Sequence, residues 1–467
     1  MKKYFKSILI LGLATISLQS CNDGDLEPHL GQDKDTETGI STASDLRTVL
    51  VGAYDRMNAS TYYGRDIIIF GEVRSDNAFS DGNSNRFVNP ARFDMLPTDA
   101  YASDTWSQIY GVIASANIVI NKDAAALTGD ANSIAHSKAE ALVIRAMAHF
   151  DLLKIYGQYQ VENSMTAAGV PYVKTFKDAD GLFPARETVQ ENLNNIMSDL
   201  NEAIATMPIS LDNYSAQFIN INVANAVKAR VALFFKDYST AATAAKAVID
   251  SGKYNISSAA DFLKTFNTDS TSNQIFSLAQ QGNDNAGING LNYIYRIGSY
   301  GDIVILKNLK DIYSSGDVRG GDAVIAPDTK NVGAYRNLGK FTTTDGSDDI
   351  PVIRYEDVVL MYAEALLASN PTEALVWLNK IPAQRGASLY SVANLDNVLL
   401  ERRKEFAFEG HRFWDLIRTG KGVSKVDERQ TFKASLPMGE PSLAFPIPSS
   451  ELAANSNLVQ NKGYARN

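Results

Sequence analysis

The densest run of groups able to do acid–base chemistry lies near the end of the chain, at Glu401-Arg402-Arg403-Lys404-Glu405-Phe406-Ala407-Phe408-Glu409-Gly410-His411-Arg412-Phe413-Trp414-Asp415-Leu416-Ile417-Arg418-Thr419-Gly420. Its interleaved Glu, Arg, His and Asp could supply a proton donor and an acceptor to a substrate. The same residues also read as architecture. Phe406, Phe413, Leu416 and Ile417 would pin two short helices about Gly410. The charges would then pair at helical spacing, Glu401 with Lys404 and Arg412 with Asp415. Ion-pair networks shift titratable groups much as active sites do, and the architectural reading is preferred.

Other chemical patterns are weaker. Asp81-Gly82-Asn83-Ser84-Asn85 begins like a calcium loop. Arg86 then stands where glycine is needed, and Arg92 where the closing glutamate belongs. An Asn-rich surface loop fits better, and the acidic turn Asp345 to Asp349 reads the same way. His29, His136, His149 and His411 make no metal-ligand spacing, so neither a metal nor a cofactor is expected. No nucleophile elbow, phosphate loop or dinucleotide fingerprint is present. Carboxylates are plentiful enough for a glycosidase pair, yet none is singled out, and no catalytic residue is assigned.

Two long loops carry binding chemistry instead. The first, from Asp76 to Tyr101, holds Phe79, Asn83, Asn85, Arg86, Phe87, Arg92, Phe93 and Tyr101. The second, from Asn283 to Tyr300, holds Asn289, Asn292, Tyr293, Tyr295, Arg296 and Tyr300. Loops of that length in a compact domain are more often functional than connective. Aromatic faces stack on apolar surfaces while amides and guanidinium groups hydrogen-bond, a pairing suited to sugars or peptides. The candidate ligand-binding residues are therefore Phe79, Asn83, Arg86, Tyr101, Asn292, Tyr293, Tyr295 and Tyr300.

The single cysteine, Cys21, follows a basic start (Lys2, Lys3, Lys6), an apolar run from Ile8 to Leu18, and Gln19-Ser20. That run is too short for a stable bilayer span and reads as an export signal over residues 1–20. The small residue before Cys21 marks the pattern of a bacterial lipoprotein, cleaved and lipidated on Cys21. A polar, acidic stretch over residues 21–40 cannot bury itself and reads as a flexible tether. With 44 basic and 53 acidic residues, a formal charge of −9, the chain lacks the basic footprint of a nucleic-acid binder.

The elements that must position these loops are mostly helical. Apolar spacing predicts helices from a cap at Ser41 or Ser44, over Trp106 to Asn121, Ser133 to Tyr156, and Glu187 to Met207. Ile221 to Phe235 with Thr240 to Ile249, and Glu356 to Leu367 with Thr372 to Leu378, look like alanine-rich helix hairpins. Their spacing approaches that of tetratricopeptide repeats, and ordinary αα-hairpins are the alternative. Ile67 to Phe70, Gln274 to Leu278 and Ile303 to Leu306 look extended. The expected fold is mainly α, with tetratricopeptide-like hairpins packed on a loop-rich, irregular face bearing a few short β-hairpins.

Arg402 to Gly420 resembles the signature of the SusD/RagB family of Bacteroidetes outer-membrane nutrient-binding lipoproteins. So does the ending Ala444-Phe445-Pro446-Ile447-Pro448 through Glu451, Asn455, Leu458, Gln460, Asn461, Gly463 and Tyr464. Gly71-Glu72-Val73-Arg74-Ser75-Asp76-Asn77-Ala78, the Trp106/Tyr110/Ala116-Asn117 helix, Arg145-Ala146 to Tyr156-Gly157, and Tyr362-Ala363-Glu364-Ala365 are similar too. The resemblance implies residues 41–260 and 261–467 forming one composite fold, with the signature motifs as scaffold. It implies a lipid-anchored protein facing the cell exterior, capping a SusC-like TonB-dependent transporter. Such proteins capture oligosaccharides, or peptides in some branches, and pass them on without chemistry. The loops after Asn77 and near Tyr293 correspond to where members place stacking aromatics. The short chain implies a smaller face suited to short ligands.

Overall fold

A computed structural model describes residues 39–177, 181–296 and 300–465. The export signal, Cys21 and most of the tether lie outside the described residues. In chain order the principal elements are α1 (Ala43–Met57), α2 (Asp66–Val73), β1 (Ala78–Ser80), α3 (Ala100–Asn121), α4 (Ala131–Tyr156), α5 (Val189–Thr206), α6 (Ile221–Phe234) and α7 (Tyr238–Asp250). They continue with β2 (Gln274–Leu278), β3 (Ile303–Ile305), β4 (Ile325–Pro327), β5 (Tyr335–Asn337), β6 (Ile350–Arg354), α8 (Tyr355–Ala365), α9 (Pro371–Ala383), α10 (Leu395–Glu405), α11 (Arg412–Arg418) and α12 (Ser449–Ala454).

Most of the long helices, α3 and α8 excepted, begin where short polar side chains accept the first free amide hydrogens. Thr42, between the two expected serines, caps α1, with Asp45 reaching back to complete a capping box. Thr188 and Glu191 do the same for α5. Asp130, Asn220, Asp237 and Asn370 cap α4, α6, α7 and α9, the last with proline in the first turn. The helices stack in sequence, α3 on α4, α4 on α5, α5 on α6, α6 on α7, α7 on α8 and α8 on α9. Small residues at the contacts (Ala229, Ala241, Ala363, Ala374, all buried) let the backbones approach. No hairpin covers its own apolar face, so each depends on its neighbour. One apolar core runs from Ile40 through the helices to Leu458.

The expected extended segment at Ile67 to Phe70 is a helix. All eight residues of α2 are buried, so the helix has no polar face, and a short apolar run bears no periodicity to separate helix from strand. Gly71 of α2 lies against Gly410, where a Cβ would stand 1.9 Å from the Gly410 carbonyl oxygen. Gln274 to Leu278 does form a strand, paired antiparallel with β6. β1 pairs antiparallel with β3, Phe79 opposite Val304, in a four-stranded sheet of order β1-β3-β5-β4.

The charged signature is a buried lattice whose partners, Asp415 with Arg418 excepted, are distant in sequence, which corrects the short-range pairing read from spacing. Arg319 holds Glu401 at 2.6 Å and Glu405 at 3.0 Å. Glu405 also receives Arg354 at 3.0 Å and Arg385 at 2.8 Å. Asp415 is held by Arg402 and Arg418, while Arg412 pairs with Asp76 at 2.7 Å. The arginines Arg319, Arg354 and Arg385 hold Glu405 well below the usual carboxylate range against the opposing effect of burial. His411 stacks on Phe406, centroids 4.6 Å apart, and burial pushes its imidazole down to about 4.

Candidate ligand-binding face

The β1–β3 pairing brings the two aromatic loops side by side, because each loop leaves one of those strands. Asp302, just before β3, accepts the Ser84 amide at 2.8 Å, the Ser84 hydroxyl at 2.5 Å and the Arg86 amide at 3.2 Å. Its own carbonyl accepts the Asp81 amide at 2.9 Å. A single carboxylate thus shapes the turn that resembled a calcium loop. Asp81 is covered by Asn331 at 3.1 Å and Lys330 at 3.3 Å.

On this frame four of the expected residues converge. The Arg86 guanidinium lies 3.6 Å from the centroid of the Tyr300 ring, a cation–π contact that fixes the ring plane. Asn83, exposed, donates to the Tyr300 carbonyl at 2.7 Å and accepts from Lys330 at 2.7 Å. Tyr293, half-buried, donates its hydroxyl to the Thr344 carbonyl at 3.1 Å, and its carbonyl accepts the Gly301 amide at 2.9 Å. The face therefore carries two tyrosine rings, an amide, and the cations of Arg86 and Lys330.

The other four expected residues serve beneath it. Phe79 is buried with Val304, Leu306 and Ala334. Tyr295 is buried and donates to the Phe408 carbonyl, and Asn292 is buried against the turn at Thr343. These three cannot touch a ligand on this face without rearrangement; apolar and amide residues of a strand and a one-turn helix point inward when the neighbouring loops fold over them. Tyr101, partly buried, stacks on Phe87 at 4.9 Å and accepts its amide hydrogen at 3.0 Å. Burial pushes its phenol up to about 12.

The family-like motifs brace this frame from behind. Glu72 accepts the Gly410 amide at 2.9 Å and the Asn77 side chain at 3.3 Å, tying the signature turn to the start of β1. Arg403 donates to Asn77 at 2.7 Å. Arg74 lies among the rings of Phe93, Phe413 and Phe445, 4.8, 4.5 and 4.7 Å from their centroids. Sequence reasoning missed a second concavity of about 360 Å³, between α3, residues 171–177 and 181–184, and α12, lined by Trp106, Tyr110, Phe176 and Phe183. Its sequence signal is the apolar Leu182-Phe183 pair, more than half exposed.

A profile described as the SusD family matches residues 329–464. One described as starch-binding, associating with outer membrane, matches residues 26–233. The chain belongs to the SusD/RagB family. A SusD-like protein of Formosa agariphila is 24% identical over 99% of this chain and all of its own length. A solved SusD superfamily structure from Bacteroides thetaiotaomicron superposes with a TM-score of 0.82 at 25% identity, over 90% of this chain and 99% of that one. A surface glycan-binding protein A from Bacteroides fluxus has the same fold, with a TM-score of 0.76 at 22% identity over 91% and 100% of the two chains. Among the described residues no helix is long and apolar enough to cross a membrane.

Proposed function

We propose that this SusD-like protein captures an oligosaccharide on the Tyr293/Tyr300 face and hands it, chemically unchanged, to a TonB-dependent outer-membrane transporter of the SusC kind. Lipid on Cys21 would hold it on the outer membrane with that face toward the exterior. The observation that carries the reading is the joining of the two aromatic loops through β1 and β3. It sets a Tyr300 ring held by Arg86 beside Asn83, Lys330 and Tyr293. Ring faces take the apolar side of a sugar while the amide and cations reach its hydroxyls. The match to a starch-binding family and the likeness to a surface glycan-binding protein of Bacteroides fluxus support a carbohydrate ligand.

A screen of immobilised glycans, followed by calorimetry on wild type and Tyr300→Ala, tests the proposal. Loss of binding to the selected glycan supports it. The acidic balance of the chain makes a basic peptide the competing ligand, and a blank glycan screen beside a positive peptide screen would favour that occupant. Release of reducing ends from any glycan would overturn the non-catalytic part. Co-purification of the barrel, lost when the protein is displaced, would support the transporter partner.

A further inference from the structure

His136 and Glu140 stand about one turn apart on α4, a spacing that faces the two side chains toward each other. The ring's Nδ1 lies 2.8 Å from Glu140 Oε1. Its Nε2 lies 3.1 Å from Asp212 Oδ1, 76 positions away in the connection between α5 and α6. Both imidazole nitrogens therefore point at carboxylate oxygens. A neutral imidazole has one N–H and one lone pair, and a carboxylate only accepts. Both contacts are hydrogen bonds only when the ring carries two protons.

The surroundings hold this arrangement unevenly. Glu140 also receives the Tyr54 hydroxyl and the Arg47 guanidinium, both from α1. Asp212 has weaker support. Its other oxygen takes long contacts from the Tyr214 hydroxyl and the Ile221 amide, each at 3.4 Å. The Glu140 and Asp212 side chains are 1% and 0% exposed, so solvent does not reach them to replace a lost N–H. A concavity of about 490 Å³, lined by Arg47, Ser133, His136 and Asn213 among others, opens beside the ring and gives protons a way in. Burial works to lower the imidazole, but the hydrogen bonds and charge of Glu140, then Asp212, outweigh it and raise it above its ordinary value.

Loss of one proton leaves one N–H for two carboxylates. It stays on Glu140, the nearer acceptor, and the Nε2 lone pair is left facing the buried Asp212 carboxylate. A buried carboxylate short of a donor is costly. The single turn Ile209–Leu211 packs on α4 beside this link, and Ile209, Leu211 and Tyr214 are all exposed, so the tip buries little of its apolar surface. The rest of the connection has other fastenings. The Ile219 amide donates to the Tyr54 hydroxyl at 3.0 Å, and the Ala216 carbonyl accepts the Ser277 amide at 2.8 Å.

We propose that His136 is a pH-operated latch: the imidazolium ties Asp212 to α4, and loss of its second proton frees residues 209–214 while residues 216–220 stay in place. Because the folded imidazole titrates above the free value of about 6.5, the tie contributes in full below that pH. It is lost as pH rises through the folded value.

Nuclear magnetic resonance of the histidine rings in the full chain tests the latch. Burial holds His149 and His411 at about 3 and about 4, so neither interferes near neutrality. A ring titrating above about 6.5 is expected, and it should disappear in His136→Gln. Hydrogen exchange of residues 209–214, corrected for its intrinsic pH dependence, should quicken as pH rises through that ring's midpoint, while exchange of residues 216–220 should not. Asp212→Asn offers an amide N–H to the neutral ring. It should bring the His136 midpoint down and remove the pH dependence of exchange while residues 209–214 stay protected. Should His136→Gln fail to fold, the downward shift in Asp212→Asn assigns the ring. A His136 midpoint at or below about 6.5, or an exchange profile unchanged in Asp212→Asn, would overturn the proposal. No glycan enters any of these readings, so their failure leaves the ligand face to be judged on its own.

Discussion

His149 shows how burial sets the behaviour of a single residue. Its Nε2 accepts the Val173 amide at 3.0 Å, which assigns the proton to Nδ1, 2.9 Å from the Arg145 carbonyl. Burial pushes its imidazole down to about 3. The unfolded chain therefore takes up a proton that the folded one refuses as pH falls below about 6.5, and stability is lost between that pH and about 3. Urea midpoints of wild type and His149→Gln should draw together from pH 6.5 to pH 4, because the variant lacks this loss. Arg385 makes the opposite case, a buried cation that must stay charged. It lies 2.8 Å from Glu405 and 3.0 Å from Glu356. Arg385→Ala leaves those carboxylates short of a partner and should cost about 3–5 kcal/mol in chemical denaturation. The sequence showed that charges cluster here, but Arg319, Arg354 and Arg385 lie 86, 51 and 20 positions from the Glu405 they share, and spacing rules see only one helix turn. The same blindness hid Asp302 as the organiser of the Asp81 turn.

Among the elements, those with a polar and an apolar face were legible before any coordinates. The helices over Ala131–Tyr156, Val189–Thr206 and Ile221–Phe234 begin and end within about two residues of their expected bounds. α2 was misread because burial on every side erased its period. Its glycine contact gives a sharp test of the close approach. Gly71→Ala places a methyl against the Gly410 backbone and should destabilise by about 1–3 kcal/mol, or more if α11 cannot shift. A substitution at Gly52, which meets nothing within 4 Å, should gain slightly from better helix propensity. Denaturation midpoints of Gly71→Ala and Gly52→Ala compare the two directly. The two aromatic loops were only half legible. Their length and aromatic content marked them, yet which side chains face outward depends on the β1–β3 register and on how the Thr343–Asp348 turn folds over Asn292. Neither is encoded within the loops themselves.

At the scale of the whole molecule, stacked helix pairs form a rigid back, and the charged signature clamps the β1 start against it through Glu72, Asp76 and Asn77. That arrangement keeps the signature motifs in the scaffold and apart from the Tyr293/Tyr300 face, so the motifs read in the sequence carry no information about the ligand. The measurement that bears most directly on the capture reading is calorimetric titration of the best glycan from a screen into wild type, Tyr300→Ala and Phe79→Ala. Loss of one ring from the face should weaken binding about tenfold, roughly 1.4 kcal/mol. The buried Phe79→Ala should lower stability by about 3–5 kcal/mol yet leave affinity within about twofold while folded. Wild-type affinity in a folded Tyr300→Ala protein, and in the paired Tyr293→Ala, would contradict the placement of the ligand on this face.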